Sequence, residues 1–193
     1  MFLFRKPSLA AIRAFLESQA GLDFTYQAVG ATAAEPPPGY VVDYTRIRLG
    51  AGRSTFIAAQ AALRSWEHFR LGWVELCWPD TPIEPGQVVA VLAHVCGLWC
   101  LNACRIVYIV TEEEPARRFG FAYGTLPDHV ESGEERFAVE WNREDDSVWY
   151  DILAFSRPNQ LLVHLGYRLV RRLQKRFARD STAAIVRTTK KVL

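Results

Sequence analysis

The residues of this sequence that could do chemistry fall into a few groups. Cys96, Cys100 and Cys104 follow His94 with three residues between successive cysteines, and Cys77 stands upstream. Zinc sites usually pair cysteines about two to four residues apart on a turn and add a second pair elsewhere. Here the cysteines run through strand-like sequence rich in Val, Leu and Trp, where ligands cannot converge. They are expected to be small buried hydrophobes in a reducing compartment, with no metal and no disulfide. His129, Glu131, Glu134 and Glu135 gather after Pro127, where a His beside carboxylates could exchange protons or hold a metal. Loop carboxylates equally serve as solvated groups that satisfy turn backbone. Tyr108, Tyr123 and Tyr150 are phenols in three successive strand regions and could orient a ligand carbonyl or hydroxyl; as core residues they would bond backbone or water. His68, His94 and His164 stand singly, and no Ser/His/Asp order can be singled out.

Charge adds one more feature. The chain carries a net +2, but from Arg168 to Leu193 nine Lys/Arg face a single acid, Asp180, so the tail is +8 and the remainder −6. Such a stripe suits nucleic acid or an anionic membrane surface, or is the solvated face of a docked helix. No aromatic residues interleave with it, as single-strand binding would favour. Weak, salt-sensitive polyanion binding is the most expected of it, with no specific nucleic acid partner. No apolar run approaches the roughly 18 residues that span a bilayer. Met1–Phe4 is apolar, but Arg5 and Lys6 follow it and no cleavage site appears. A cytoplasmic protein without a signal peptide is expected.

The elements that must position these groups read as follows. Pro7–Gln19 is a first helix with Leu9, Ile12, Phe15 and Leu16 on one stripe and Ser8 near its cap. Phe24–Thr32 reads as a strand, ended by Glu35-Pro36-Pro37-Pro38-Gly39, and Tyr40–Gly52 is extended. Ser54 caps a second helix to about Phe69, striped by Phe56, Ala59, Leu63, Trp66 and Phe69. Six strands follow without a helix, at roughly 73–78, 87–95, 98–111, 118–126, 134–142 and 147–155, and Gln160 to about Thr188 is a long helix. A run of antiparallel strands between helices gives an α+β fold rather than a nucleotide-binding parallel sheet. One domain over 1–193 is expected, with 1–22 as an N-terminal helical extension.

Hairpin arithmetic assigns faces. Pairing Thr111 with Arg118 sets Tyr108 against Phe121 and Ile106 against Tyr123. Closing the next hairpin over Pro127–Gly133 sets Tyr123 against Phe137, Phe121 against Val139 and Phe119 against Trp141. Pairing Asn142 with Ser147 sets Val139 against Tyr150 and Phe137 against Ile152. Because strand side chains alternate, one face then collects Cys104, Ile106, Tyr108, Val110 and the aromatic set from Phe119 to Ile152. That face should lie under the long helix, along a stripe of Leu162, Leu165, Leu169, Leu173 and Phe177. The other face collects Arg105, Arg136, Glu140 and Asp151 among Gly120, Ala122, Gly124 and Ala138. It reads as a surface ladder, or as a shallow groove at Gly120, Ala122 and Gly124 where a partner or the N-terminal segment packs against that ladder.

Specific stretches carry a resemblance: Phe24-Thr25-Tyr26 with Val29-Gly30-Ala31-Thr32, Leu71-Gly72-Trp73-Val74-Glu75-Leu76, Leu101–Tyr108, Arg118–Pro127, Glu131–Phe137, Trp149-Tyr150-Asp151-Ile152, Ala154–Pro158 and Arg176–Ser181. From about residue 24 onward the sequence resembles the family named domain of unknown function nineteen-ninety. Its element order resembles the helix-grip fold of lipid-transfer (START), plant-allergen and polyketide-cyclase proteins. The resemblance implies a curved antiparallel sheet of about six to seven strands gripping a long C-terminal helix, with two shorter helices. It brings no catalytic residues and no cofactor. The reading that follows is a binding protein for a small apolar or amphipathic molecule, with Tyr108, Phe121, Tyr123, Val139, Trp141 and Tyr150 lining a cavity between sheet and helix. An enzyme of cyclase, dehydratase or hydrolase type using that cavity, and an interaction protein using the basic helix, are the alternatives.

Overall fold

The computed structural model describes residues 1–159 and 166–192. Its antiparallel strands are β1 (Phe2–Leu3), β2 (Val41–Ala51), β3 (Val74–Leu76), β4 (Val88–Val95), β5 (Leu98–Glu112), β6 (Ala116–Thr125), β7 (Glu131–Asn142) and β8 (Ser147–Pro158). Seven form one sheet in the order β2-β8-β7-β6-β5-β4-β3, and β1 pairs with β5 beside Trp99 and Cys100, beyond the reach of β6. The described helices are α1 (Leu9–Gln19), α2 (Gly52–Arg64) and the long α3 (Tyr167–Val192).

Local chemistry explains most boundaries. Ser8 accepts from the Ala11 N–H and caps α1. α2 starts two residues before Ser54, behind Ala51, and ends at Arg64, because Trp66 turns the chain into a left-handed conformation (φ 55°). The expected stripe Phe56, Ala59, Leu63, Trp66 and Phe69 is buried throughout. The expected strand over Phe24–Thr32 does not form. Gly30 adopts φ 87° and a 3-10 turn follows at Ala31–Ala33. This segment lies as a strap on the outer face of β6 and β7. A Cβ on Gly124 would meet the Tyr26 hydroxyl at 2.0 Å, so only glycine leaves room for the strap.

The hairpin registers differ instructively from expectation. β7 and β8 pair as expected, Val139 with Tyr150 and Phe137 with Ile152. β6 and β7 are two residues out: Phe121 faces Phe137, Phe119 faces Val139, and Tyr123 faces Glu135. A two-residue shift keeps every side chain on its face. β5 corrects the reading at Tyr108 and Val110. Glu112, not Thr111, pairs with Arg118, and an irregularity between Ile106 and Tyr108 absorbs the extra residue. Below it Ile106 faces Tyr123 as expected, but above it Tyr108 pairs with Ala122 and Val110 with Gly120, on the outer face. Ile109 and Thr111 take the inner positions instead.

The aromatic inner face is covered by α2, the Trp66–Phe69 segment and the C-terminal half of α3, where Ser181, Ala184 and Ile185 are fully buried. Leu173 and Phe177 belong to the inward side of α3, Leu169 stays 45% exposed, and Leu162 and Leu165 lie outside the described residues. On the outer face Ile12 and Phe15 of α1 pack on Ala90, Leu92, Leu101 and Ala103.

The charged set of the outer face is a half-buried network rather than a surface ladder. Glu140 accepts from Arg46 at 2.7 Å and Arg118 at 2.6 Å, and Asp151 from Arg136 at 3.0 Å, with Arg46 3.7 Å away. Burial pushes Glu140 up, but the two guanidiniums pull it further and leave it below the usual carboxylate range. Arg105 stands apart and donates to the Ala20 and Leu22 carbonyls. Arg46 bridges both carboxylates and lies over Trp149, so Arg46→Met keeps the stem and removes the bridge. Urea unfolding should show a loss of about 1–2 kcal/mol; a loss within error would mark the network as energetically idle.

Candidate functional site

Between the inner face of the sheet and the N-terminal half of α3 lies a hollow of about 1090 Å³. Its apolar wall comes from Phe69, Trp73, Val91, Ile152, Leu173 and Phe177. Phe2, Phe4 and Tyr44 reach its rim, where Phe4 is 91% exposed. Alternation explains the lining, since Asp43, Tyr123, Glu135, Ala154 and Asn102 all occupy inward positions of their strands.

One end of the hollow is polar. Tyr123 donates to Glu135 Oε2 at 2.8 Å. A second group ties α3 to the sheet: Arg171 forms a two-pronged pair with Asp43 at 2.5 and 2.6 Å and donates to Gln174 Oε1, and Gln174 donates to Ser156 at 2.9 Å and to Glu131. Burial pushes the Glu135 carboxyl up to about 7, against the Tyr123 bond and helped by repulsion from Glu131 and Asp43. Glu131 also rises to about 7 through burial, against bonds from Gln174 and Ser156. Burial and the neighbouring Glu135 carry the Tyr123 hydroxyl well above its usual range, so it stays a donor.

The sequence-derived residues separate. Tyr123 lines the hollow. Phe121, Val139 and Tyr150 lie inward but fully buried behind it, Phe121 against Trp66 and Phe137, and Tyr150 bonded to Ser181 of α3 at 3.1 Å. Trp141 packs near Phe56 and donates to Asp146. Tyr108 lies on the opposite face, its hydroxyl 2.7 Å from Thr32 Oγ1.

The His129 cluster also divides. Glu131 and Glu135 turn to the hollow, whereas Glu134 turns outward and accepts from Tyr26, the Gly30 and Thr32 amides and the Thr32 hydroxyl. His129 Nδ1 accepts from the Glu131 amide, and burial lowers the ring to about 4, which keeps it neutral. The inward parity of Phe137 reaches Glu135 two residues back, within the expected strand 134–142, and Glu131 six residues back, a signal that starting the strand at 134 hid. Asp43 and Gln174 had none, because β2 pairs with distant β8 and α3 meets β2 and β8 only in the folded chain.

Cys100 lines the hollow and Cys104 is buried in the core, while Cys96 is exposed in the β4–β5 turn, against the expectation that it is buried. Its left-handed φ of 52° beside Gly97 places it there, and His94 stacks on Trp99 instead of joining the thiols. No helix among the described residues is long and apolar enough to cross a membrane.

Among solved structures the fold is similar to Ara h 8.0201, with a TM-score of 0.50 at 12% identity over 79% of this chain and 99% of that one; both are helix-grip folds. Curated relatives include a UPF0548 protein of Dictyostelium discoideum, 39% identical over 94% of this chain and 92% of its own. A UPF0548 protein of Deinococcus radiodurans is 32% identical over 97% of this chain and 98% of its own. With the family model matching residues 25–184, the chain belongs to the family described as Domain of unknown function (DUF1990).

Proposed function

We propose that this protein binds a small amphipathic molecule in the hollow between the sheet and α3, as one unit of residues 1–193 with α1 packed on its outer face. The observation that carries the reading is the lining itself: a largely apolar wall with one polar end, where Tyr123, Glu135, Glu131 and Gln174 converge. Ligand sites commonly have this composition, an apolar body with a few placed polar groups. Phe121, Val139 and Tyr150 serve as the rigid backing of the wall. The four free thiols suit a reducing, cytoplasmic setting.

Native mass spectrometry of protein purified from its own host should reveal a retained small molecule. Fluorescence of N-phenyl-1-naphthylamine should rise on binding, and Ala154→Trp, which fills the hollow beside Glu135, should abolish the rise. An unaltered rise in that variant would remove the reading. Tyr123→Phe should weaken retention of the native ligand severalfold while shifting Tm by no more than a few degrees, since it deletes one hydrogen bond worth about 1 kcal/mol. Titration of the ligand against both proteins checks it.

A second reading, turnover of the bound molecule, is favoured by Glu135 alone: a carboxyl near neutrality with a phenol bonded to it can give or take a proton. Recovery of the retained molecule chemically unchanged after prolonged incubation would speak against it.

A further inference from the structure

The polar end of the hollow is lopsided in charge. Glu135 has one oxygen bonded by Tyr123, and among the described residues nothing donates to the other. Glu131 faces the same space, two inward positions earlier on β7. The cations nearby are already committed or lie at the edge. Arg171 is held by Asp43, the Met1 ammonium by the Leu101 and Asp128 carbonyls, and Arg179 by Asp180, while Lys175 is exposed at the rim. Among the described residues, the remaining groups that face the two carboxylates are Tyr123 and Cys104 from β6 and β5, Asp43 from β2, Ser156 from β8, Gln174 from α3, and His129, which is neutral. None of these supplies a positive charge.

Resting on the cavity reading above, we infer that the ligand is an amphipathic amine whose ammonium group bonds the free oxygen of Glu135 within the field of Glu131, with its hydrocarbon body along Phe69, Ile152 and Leu173. An ammonium is a compact cation with donors only, and these oxygens are acceptors in a poorly hydrated space, where opposite charges attract strongly. A carboxylate-headed amphiphile of the same length meets repulsion at the same point. The chemistry is binding only, with no covalent step. Both carboxyls titrate close to neutrality, so seating an ammonium must drive out the protons they hold.

Decylamine, decanol and decanoate, at concentrations below micelle formation, separate the possibilities by displacement of N-phenyl-1-naphthylamine. Decylamine should bind about tenfold or more tighter than decanol at pH 7.5, with decanoate weakest. Calorimetry in buffers of different ionisation enthalpy should show protons released with decylamine and none with decanol. Glu135→Gln should bring the amine-to-alcohol ratio close to one. If that variant fails to fold, the wild-type protein carries the same information. Its ratio should climb about tenfold from about pH 5.5 to about pH 8, as the free protein loses the protons that oppose the ammonium. Decanol binding as well as decylamine, or decanoate binding best, would overturn the amine assignment and leave the cavity reading intact. Failure of all three to displace the probe would overturn both.

Discussion

Replacing Glu134 by alanine is expected to destabilise the protein by about 3–5 kcal/mol, the largest loss for any single polar side chain on the outer face. The carboxylate is 3% exposed and organises the whole strap, accepting from the Tyr26 hydroxyl at 2.8 Å, the Gly30 amide at 2.7 Å, the Thr32 amide at 3.0 Å and the Thr32 hydroxyl. With it gone, these donors remain buried against β7 without an acceptor, so the cost is their desolvation and not merely lost attraction. Tyr26→Phe, which deletes one donor and leaves the carboxylate satisfied three ways, should cost only about 1 kcal/mol. Glu134→Gln should fall between, because its amide protons confront the Gly30 and Thr32 amides. Urea unfolding orders the three variants. Hydrogen exchange at Gly30 and Thr32 locates the effect, because only a strap-anchoring role predicts local loss of protection there in Glu134→Gln. Equal costs for Glu134→Ala and Tyr26→Phe would refute the anchoring role.

The same carboxylate shows why part of the molecule was legible beforehand and part was not. Alternation along β6, β7 and β8 is a local property, and it assigned Phe119, Phe121, Tyr123, Phe137, Val139, Tyr150 and Ile152 to the inner face even though β6 and β7 pair two residues away from the expected register. The irregularity next to Val107 breaks that rule without leaving a sign, since no glycine or proline marks it, and it sends Tyr108 to the outside. The strap failed differently. Its Phe, Tyr and Val residues read as a strand, but the donors it presents are satisfied by one distant carboxylate instead of a ladder. The candidate site was half legible for a related reason. Tyr123 follows from a hairpin, whereas Asp43 enters through the pairing of β2 with β8 and Gln174 through the docking of α3, contacts separated by 128 and 43 residues from their partners Arg171 and Glu131. Separations of that order are invisible to any window along the chain.

Stability of the ligand-free protein should fall as pH rises across neutrality, an unusual slope for a chain with this many paired carboxylates. Glu131 and Glu135 are carried from 4.5 to about 7 on folding, chiefly by burial. A carboxyl whose pKa is raised by folding binds its proton more tightly in the native state, so between the two values the native state holds more protons than the unfolded chain. The neutral acids are therefore tolerated below about pH 4.5, and the cost of ionising them in the hollow is imposed progressively up to about pH 7 and is constant above it. A shift of this size corresponds to at most about 3–4 kcal/mol for each carboxyl. Water entering the hollow relaxes part of it, so about 2–4 kcal/mol in total is expected between about pH 5 and about pH 8. Glu140, held low by Arg46 and Arg118, has completed its contribution by pH 5. Buried His129 and His68, lowered to about 4 and about 3, add stability as pH rises to about 6.5. The carboxyl slope is therefore read as the difference between wild type and a variant lacking both carboxyls. Urea unfolding of the two proteins at several pH values gives that difference directly. The double variant Glu131→Gln with Glu135→Gln should remove the decline due to the two carboxyls and exceed wild type in stability at pH 8, because an amide there never has to carry charge. A difference in stability between wild type and the double variant that stays constant from pH 5 to pH 8 would mean that both carboxylates are well solvated, and the polar end of the hollow would then be an ordinary wet surface.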